Sequence, residues 1–148
     1  MSREVERQVR QLLDETVRSI DAAALVGLSC IADGPDAWFA EAVLAHGGRL
    51  EVVVPAKQFR ESLPEDHWAV YDELMRLAVE VHHTGMTVSD SEAYMAGSEI
   101  LIGLADELIA VWDGKPAWGY GGTADVVACA ERNGVPVRVL WPEGASRS

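Results

Sequence analysis

The sequence is poor in cysteine, in positive charge and in long apolar runs. Its two cysteines, Cys30 and Cys129, lie far apart in apolar surroundings. This spacing fits neither a disulfide framework nor a cysteine metal site. The apolar runs are short and interrupted, and the chain begins with charged residues instead of the apolar core of a signal peptide. We therefore expect a cytoplasmic protein without a membrane partner.

Acidic residues outnumber basic ones, with 24 Asp and Glu against 12 Lys and Arg and a formal net charge of -12. The resulting field repels the phosphate backbone of nucleic acids, and no basic cluster offsets it. We expect no nucleic-acid partner. A free nucleotide is repelled as well, so a phosphate site must draw its attraction from helix dipoles and a local lysine.

Apolar residues recur at helical and strand spacings in alternation. The predicted helices span residues 3–20, 35–46, 64–78, 89–104 and 123–132, and the predicted strands span 24–28, 50–55, 79–82, 108–112 and 135–141. This alternation predicts an α/β fold: a three-layer Rossmann-like sandwich whose mainly parallel sheet has about five strands in the order 3-2-1-4-5. We expect one domain over residues 1–148, with an N-terminal helix within 1–22 and a frayed tail at 143–148.

Two local patterns sharpen these expectations. The strand at 108–112, Leu-Ile-Ala-Val-Trp, is apolar throughout and is predicted to be the most clearly buried one. The run Ser89-Asp90-Ser91-Glu92 has the S-x-x-E pattern of a capping box and is expected to open the helix that follows.

The loops after the first and fourth strands are the expected place for a ligand, because sheets of this class bind ligands where the strand order reverses. In the second loop, Gly121, Gly122 and Thr123 begin a helix, whose N–H groups and dipole attract an anion that glycine allows to approach closely. Lys115 offers a charge. The remaining candidate ligand-binding residues are Ser29, Gly34 and Tyr120. The alternative is that the glycines only turn the chain and Thr123 caps the helix.

Two carboxylates are the candidate catalytic residues. Asp113 directly follows the fourth strand, where it can bind a ribose hydroxyl or act as an acid or base. Asp125 lies in the first turn of the next helix. The alternatives are that Asp113 accepts hydrogen bonds from nearby loop N–H groups and that Asp125 is placed by the helix dipole alone.

A metal site and a cofactor are not expected. His82 and His83 are consecutive on a predicted strand and point to opposite faces, so they do not chelate one ion together. Cys30 stands between a strand and a helix, where a thiol is mildly activated, and we interpret it as structural.

The stretch G-L-S-C-I-A-D-G-P-D-A-W-F-A-E-A-V-L, with L-E-V-V-V-P after it, resembles the opening of the Rossmann-like proteins related to YpsA, DprA and the Lonely-Guy enzymes. The stretch A-D-E-L-I-A-V-W-D-G, with G-Y-G-G-T-A-D-V-V-A-C-A after it, resembles their second nucleotide-binding half. The resemblance covers most of the chain after residue 24. It implies a nucleotide or nucleotide-derived ligand at Gly121, Gly122 and Thr123. Some members cut the N-glycosidic bond of nucleoside monophosphates, and others only bind.

The chain departs from the Lonely-Guy pattern P-G-G-x-G-T-x-E-E at both glutamates, where it has Asp125 and Val126, and Gly97-Ser98 stand where the family has an Arg-Lys pair. Asp113 and Asp125 resemble the carboxylate pair of the nucleoside 2-deoxyribosyltransferases. We therefore predict binding of a nucleotide-type small molecule through the loop at 119–123. The alternative is a nucleoside 5'-monophosphate N-glycosidase that uses Asp113 and Asp125. The apolar helices also predict a homodimer or a larger homo-oligomer.

Overall fold

The computed structural model describes residues 1–115 and 122–145. Helices and strands alternate along the chain, as expected for an α/β protein. The helices are α1 (Arg3–Arg18), α2 (Pro35–Ala45), α3 (Phe59–Ser62), α4 (Trp68–Leu77), α5 (Ser91–Leu104) and α6 (Thr123–Arg132). The strands are β1 (Val26–Ser29), β2 (Arg49–Val54), β3 (Glu80–His83), β4 (Leu108–Val111) and β5 (Val137–Leu140), and a 3-10 turn, Glu65–His67, precedes α4.

The first helix forms where the apolar spacing predicts it. Ser2 caps α1 by accepting a hydrogen bond at Oγ from the amide of Val5, at 3.1 Å. Val5, Val9 and Leu13 lie on one face and are buried. They contact Trp38 and Phe39 of α2 together with apolar side chains of β4 and β5 (Ile109, Val111 and Leu140). The helix α1 therefore joins the two halves of the molecule.

All strand pairs within the described residues are parallel. The strands β1, β2 and β3 form one sheet with β2 in the centre, and β4 and β5 form a second. The neighbours β3-β2-β1 and β4-β5 agree with the predicted order. The single five-stranded sheet was wrong, because β1 and β4 are not joined by a hydrogen-bonded ladder in the described parts of the chain. The side chains of α1 span this boundary instead, and sequence periodicity identifies strands without revealing which non-consecutive strands pair.

Burial also differs between the two sheets. In the central strand β2, Leu50, Val52 and Val53 are fully buried. In β4 only Ala110 is buried, and in β5 Val139 is 47% exposed. The prediction that 108–112 is the most clearly buried strand was therefore wrong, because a two-stranded sheet leaves part of each strand without a covering layer.

The segment between β2 and α4 is more structured than expected. The predicted helix at 64–78 begins only at Trp68, and Phe59 in the short α3 is fully buried. The Phe59 ring lies 6.0 Å from that of Tyr71 and 5.6 Å from that of Tyr94, measured between centroids. These ring contacts anchor the segment between β2 and α4, which includes His67.

The capping box was misplaced by one residue. Asp90, not Ser89, is the N-cap of α5, and its Oδ1 accepts from the amide of Ala93 at 2.9 Å. The hydroxyl of Ser89 lies 3.0 Å from that of Ser62 instead. A short polar side chain at either position fits the sequence signature, and the backbone bend before Ser91 selects Asp90.

At the C-terminus, the ring nitrogen of Trp141 donates to the carbonyl of Ala145 at 3.0 Å, so residues 143–145 of the expected frayed tail form a turn anchored on Trp141. Residues 146–148 lie outside the described range. No helix among the described residues is long and apolar enough to cross a bilayer.

Candidate ligand site at the carboxyl ends of the strands

The loop after β1 is held in a tight arch by the hydroxyl of Ser29. Its Oγ accepts from the amide of Ile31 at 2.9 Å and donates to the carbonyl of Asp36 at 3.0 Å. The side chain is buried. Because its one proton is used inside the loop, a phosphate contact from Ser29 requires this hydrogen bond to be exchanged.

Ile31 has an unusual backbone conformation at the end of β1. Its φ is +51°, the only positive φ of a non-glycine residue among the described residues, and its side chain is fully buried. A β-branched residue adopts this region at a cost of about 1 to 3 kcal/mol, and such strain concentrates at functional sites.

His67 is the residue that holds Ile31 in place. Its Nε2 lies 3.0 Å from the carbonyl oxygen of Ile31, which can only accept, so Nε2 carries a proton. Its Nδ1 lies 3.5 Å from Oδ1 of Asp33, whose side chain is 58% exposed. His67 itself is buried. The sequence analysis did not identify His67, because no local pattern around it predicts a contact with a residue 36 positions away.

Asp36, in the first turn of α2, has a perturbed pKa that the sequence does not reveal. Burial raises the pKa of its carboxyl to about 6. Asp36 is nevertheless exposed to solvent, so water screens its carboxylate and the shift contributes little to the free energy of folding.

Cys30 is buried beside Asp36, and the pKa of its thiol is raised, first by burial and then by the negative charge of Asp36. A thiol in this state is a poor nucleophile. The burial of the side chain is consistent with the interpretation of Cys30 as structural.

The N-terminus of α2 is open. Gly34 is its N-cap, with φ +101°, Pro35 follows, and no side chain in the described parts of the chain caps the first turn. Apart from Gly34 itself and its two chain neighbours, no described residue has an atom within 4 Å of the point where a Cβ would stand on Gly34. The glycine is therefore required by backbone conformation, and the space in front of it is available to a ligand.

The loop after β4 closes on itself through Asp113. Oδ1 of Asp113 accepts from the amide of Lys115 at 3.0 Å, while the indole nitrogen of Trp112 donates to the carbonyl of Lys115 at 2.8 Å. Asp113 therefore makes the loop hydrogen bond that was given as the alternative to a catalytic role. Gly114, with φ +85°, permits the bend and leaves the Lys115 side chain exposed.

The helix α6 begins at Thr123, the residue where the sequence predicts it to begin. Its N-cap is Gly122, no side chain of the described residues caps it, and Thr123 is exposed. The alternative in which Thr123 is the cap was therefore wrong. Asp125 lies half-buried in the first turn. The predicted residues Tyr120 and Gly121 lie outside the described ranges.

The lysines give the expected positive charge, and one of them was missed. The sequence contains only Lys57 and Lys115. Lys57 follows β2 by three residues and Lys115 follows β4 by four, so both stand at the carboxyl ends of strands, and both are exposed. The signal was available in the sequence as the shared position of the two lysines after strands.

A shallow recess of about 540 Å³ lies beside Lys57, lined by Gln58, Glu61, Ser62, Val88 and Ser89. It contains none of the predicted site residues, and it is open to solvent. Gly97, at one of the two positions of the family's Arg-Lys pair, is buried, and a Cβ there would lie 3.4 Å from Pro55.

Comparison with models of known protein families found none that matches the chain. Comparison with curated proteins found no significant match either.

Proposed function

We propose that the chain binds a nucleotide or a nucleotide-derived small molecule at the carboxyl ends of its strands, through the loop at 119–123. The observation that carries this proposal is the start of α6. This helix follows β4 and begins at Thr123 after its N-cap Gly122, no side chain of the described residues caps it, and Thr123 is exposed to solvent. The backbone N–H groups of a first helical turn and the helix dipole favour a phosphate at such a position.

Two further features support the same interpretation. The exposed ammonium of Lys115 precedes it in the chain and offers a local attraction against the net charge of -12. The second uncapped helix, α2, follows the strained loop at Ile31. Membership in the Rossmann-like superfamily of YpsA, DprA and the Lonely-Guy enzymes is part of this proposal and rests on the sequence resemblance.

Calorimetric titration with nucleoside mono- and diphosphates, NAD and cyclic ADP-ribose tests the proposal. Thr123→Val and Lys115→Gln are expected to weaken the best ligand about tenfold or more, because each removes one hydrogen-bond donor to a charged group. Thr87→Val and Arg49→Gln are the matched controls, since both residues are exposed and Arg49 begins β2 at the opposite end of the strand. Absence of binding by every nucleotide at millimolar concentration would reject the proposal.

A second candidate function is cleavage of the N-glycosidic bond of a nucleoside 5'-monophosphate, with Asp113 and Asp125 as the catalytic carboxylates. It is favoured by the positions of the two carboxylates, since Asp113 follows β4 and Asp125 lies in the first turn of α6. Release of free base from a panel of ribo- and deoxyribonucleotides is the assay. Asp113→Asn and Asp125→Asn should each abolish release, and activity that survives both changes would remove these residues from the mechanism.

We also propose a homo-oligomer in a reducing, cytoplasmic compartment. Apolar side chains remain exposed at Val79 (61%), Leu104 (49%) and Val139 (47%), and association would cover them. Both cysteines are buried thiols without a disulfide. Sedimentation velocity of the purified chain tests the association, and a monomer at high micromolar concentration would contradict it.

A further inference from the structure

Three potential metal ligands meet on one face of the β1-β2-β3 sheet. They are Glu51 on β2 and Glu80 and His82 on β3, and their ligand atoms all lie within 4.8 Å of one another. The parallel register brings them together, since Glu51 stands opposite Glu80 and Val53 opposite His82. Residues 80 and 82 are two apart on one strand, so their side chains point to the same face.

The donor set is mixed and partly preorganised. Nε2 of His82 lies 2.7 Å from Oε1 of Glu51, and both side chains are only 22% exposed. Glu80 is exposed, and its side chain makes no ion pair or hydrogen bond within the described ranges. Two carboxylates on neighbouring strands repel each other, and a bound cation would relieve that repulsion.

The distances suit a small divalent ion. Zinc binds nitrogen and carboxylate oxygen at about 2.0 to 2.2 Å, which places tetrahedral ligands about 3.4 Å apart. The Glu51 and His82 atoms need to separate by less than an ångström to reach that spacing, and Glu80 needs to move inward by a side-chain rotation. One imidazole with two carboxylates is a zinc-type donor set, with water as the fourth ligand.

We propose that Glu51, Glu80 and His82 form a binding site for one divalent transition-metal ion, with Zn²⁺ as the reference ion. This site does not depend on the proposed nucleotide site. It also revises the sequence-based expectation, which considered only the pair His82 and His83. Those two point to opposite faces, but His82 meets carboxylates that are distant in the chain.

Titration of the chelator-treated full-length chain with Zn²⁺ in a calorimeter tests the proposal. One ion per chain is expected. Glu80→Gln and His82→Ala should each weaken binding at least about tenfold, since even outer-shell partners of a metal site have effects of that size. Because Glu80 is exposed, Glu80→Gln leaves the fold intact and keeps the test valid if His82→Ala is unstable.

The matched controls are His83→Ala, the neighbouring histidine on the other face of β3, and Glu41→Gln, an exposed carboxylate on α2. Both should bind Zn²⁺ as the unchanged protein does. Co²⁺ provides a second readout, because the visible absorption of a four-coordinate Co²⁺ ion should appear in the controls and be lost in His82→Ala. Wild-type affinity in both Glu80→Gln and His82→Ala, or no binding by the unchanged chain, would overturn the proposal.

Discussion

His67 donates a hydrogen bond from Nε2 to the carbonyl oxygen of Ile31 at 3.0 Å, across 36 positions of sequence. Both residues are buried, and Ile31 has a φ of +51°. The other polar group of Ile31, its amide, is bound by Ser29 at 2.9 Å. The strained loop after β1 is therefore held from both sides, and its shape positions Asp33, Gly34 and the start of α2.

His67→Ala should lower the free energy of unfolding by about 2 kcal/mol, because it removes a buried ring and leaves the carbonyl of Ile31 without its partner. Urea unfolding gives the value. Hydrogen exchange at the Ile31 amide should accelerate in the variant, because the loop loses one of its two supports. His83→Ala, at an exposed position, should change the stability by less than about 0.5 kcal/mol. Equal effects of the two substitutions would contradict the role given to His67.

Sequence periodicity predicted the alternation of elements because each helix and strand carries its own apolar spacing. Both bounds of α6, Thr123 and Arg132, were predicted to the residue, because Gly122 precedes the helix and Asn133-Gly134 follows it. His67 and the Glu51-Glu80-His82 cluster were not predictable in this way. They depend on the register of β2 against β3 and on the path of residues 59–67, which involve contacts between distant parts of the chain.

The candidate site was predicted only where it depends on local pattern. The start of α6 at Thr123 and the turn at Asp113 follow from residues close together in sequence. The lack of pairing between β1 and β4 in the described parts of the chain could not be predicted in this way, because a short strand has the same apolar pattern whether or not it pairs with the other. The pKa of Asp36 likewise depends on atoms that tertiary packing brings near it.

Gly34→Ala should destabilise the chain by about 1 to 3 kcal/mol, because φ +101° is a conformation that alanine adopts only under strain. The space around Gly34 is open among the described residues, so backbone conformation is the whole cause. Gly103→Ala is the matched control. It also meets open space but lies inside α5, where alanine should stabilise by about 0.5 to 1 kcal/mol. Thermal unfolding should move in opposite directions for the two variants, and a shift of the same sign in both would contradict the prediction.

Asp36 should make stability depend on pH in a narrow acidic window. The pKa of its carboxyl is raised from 3.8 to about 6 in the folded chain, so between these values the unfolded chain has lost a proton that the folded chain retains. The contribution is fully present below about pH 4 and is lost as pH rises through 6. Asp36→Asn removes this loss. At pH 7 the variant should therefore be more stable than the unchanged protein, by about 1 kcal/mol, since solvent screens a residue that is partly exposed.

Urea unfolding at pH 3.5, 5 and 7 measures this difference for Asp36→Asn and for Glu41→Gln, an exposed carboxylate of the same helix. A change shared by both variants reflects net charge and is subtracted. The remaining gain in Asp36→Asn should be near zero at pH 3.5 and largest at pH 7, because protonated aspartic acid and asparagine are both neutral. A gain that is constant with pH, or one that falls as pH rises, would show that the carboxyl of Asp36 is fully hydrated in the folded chain.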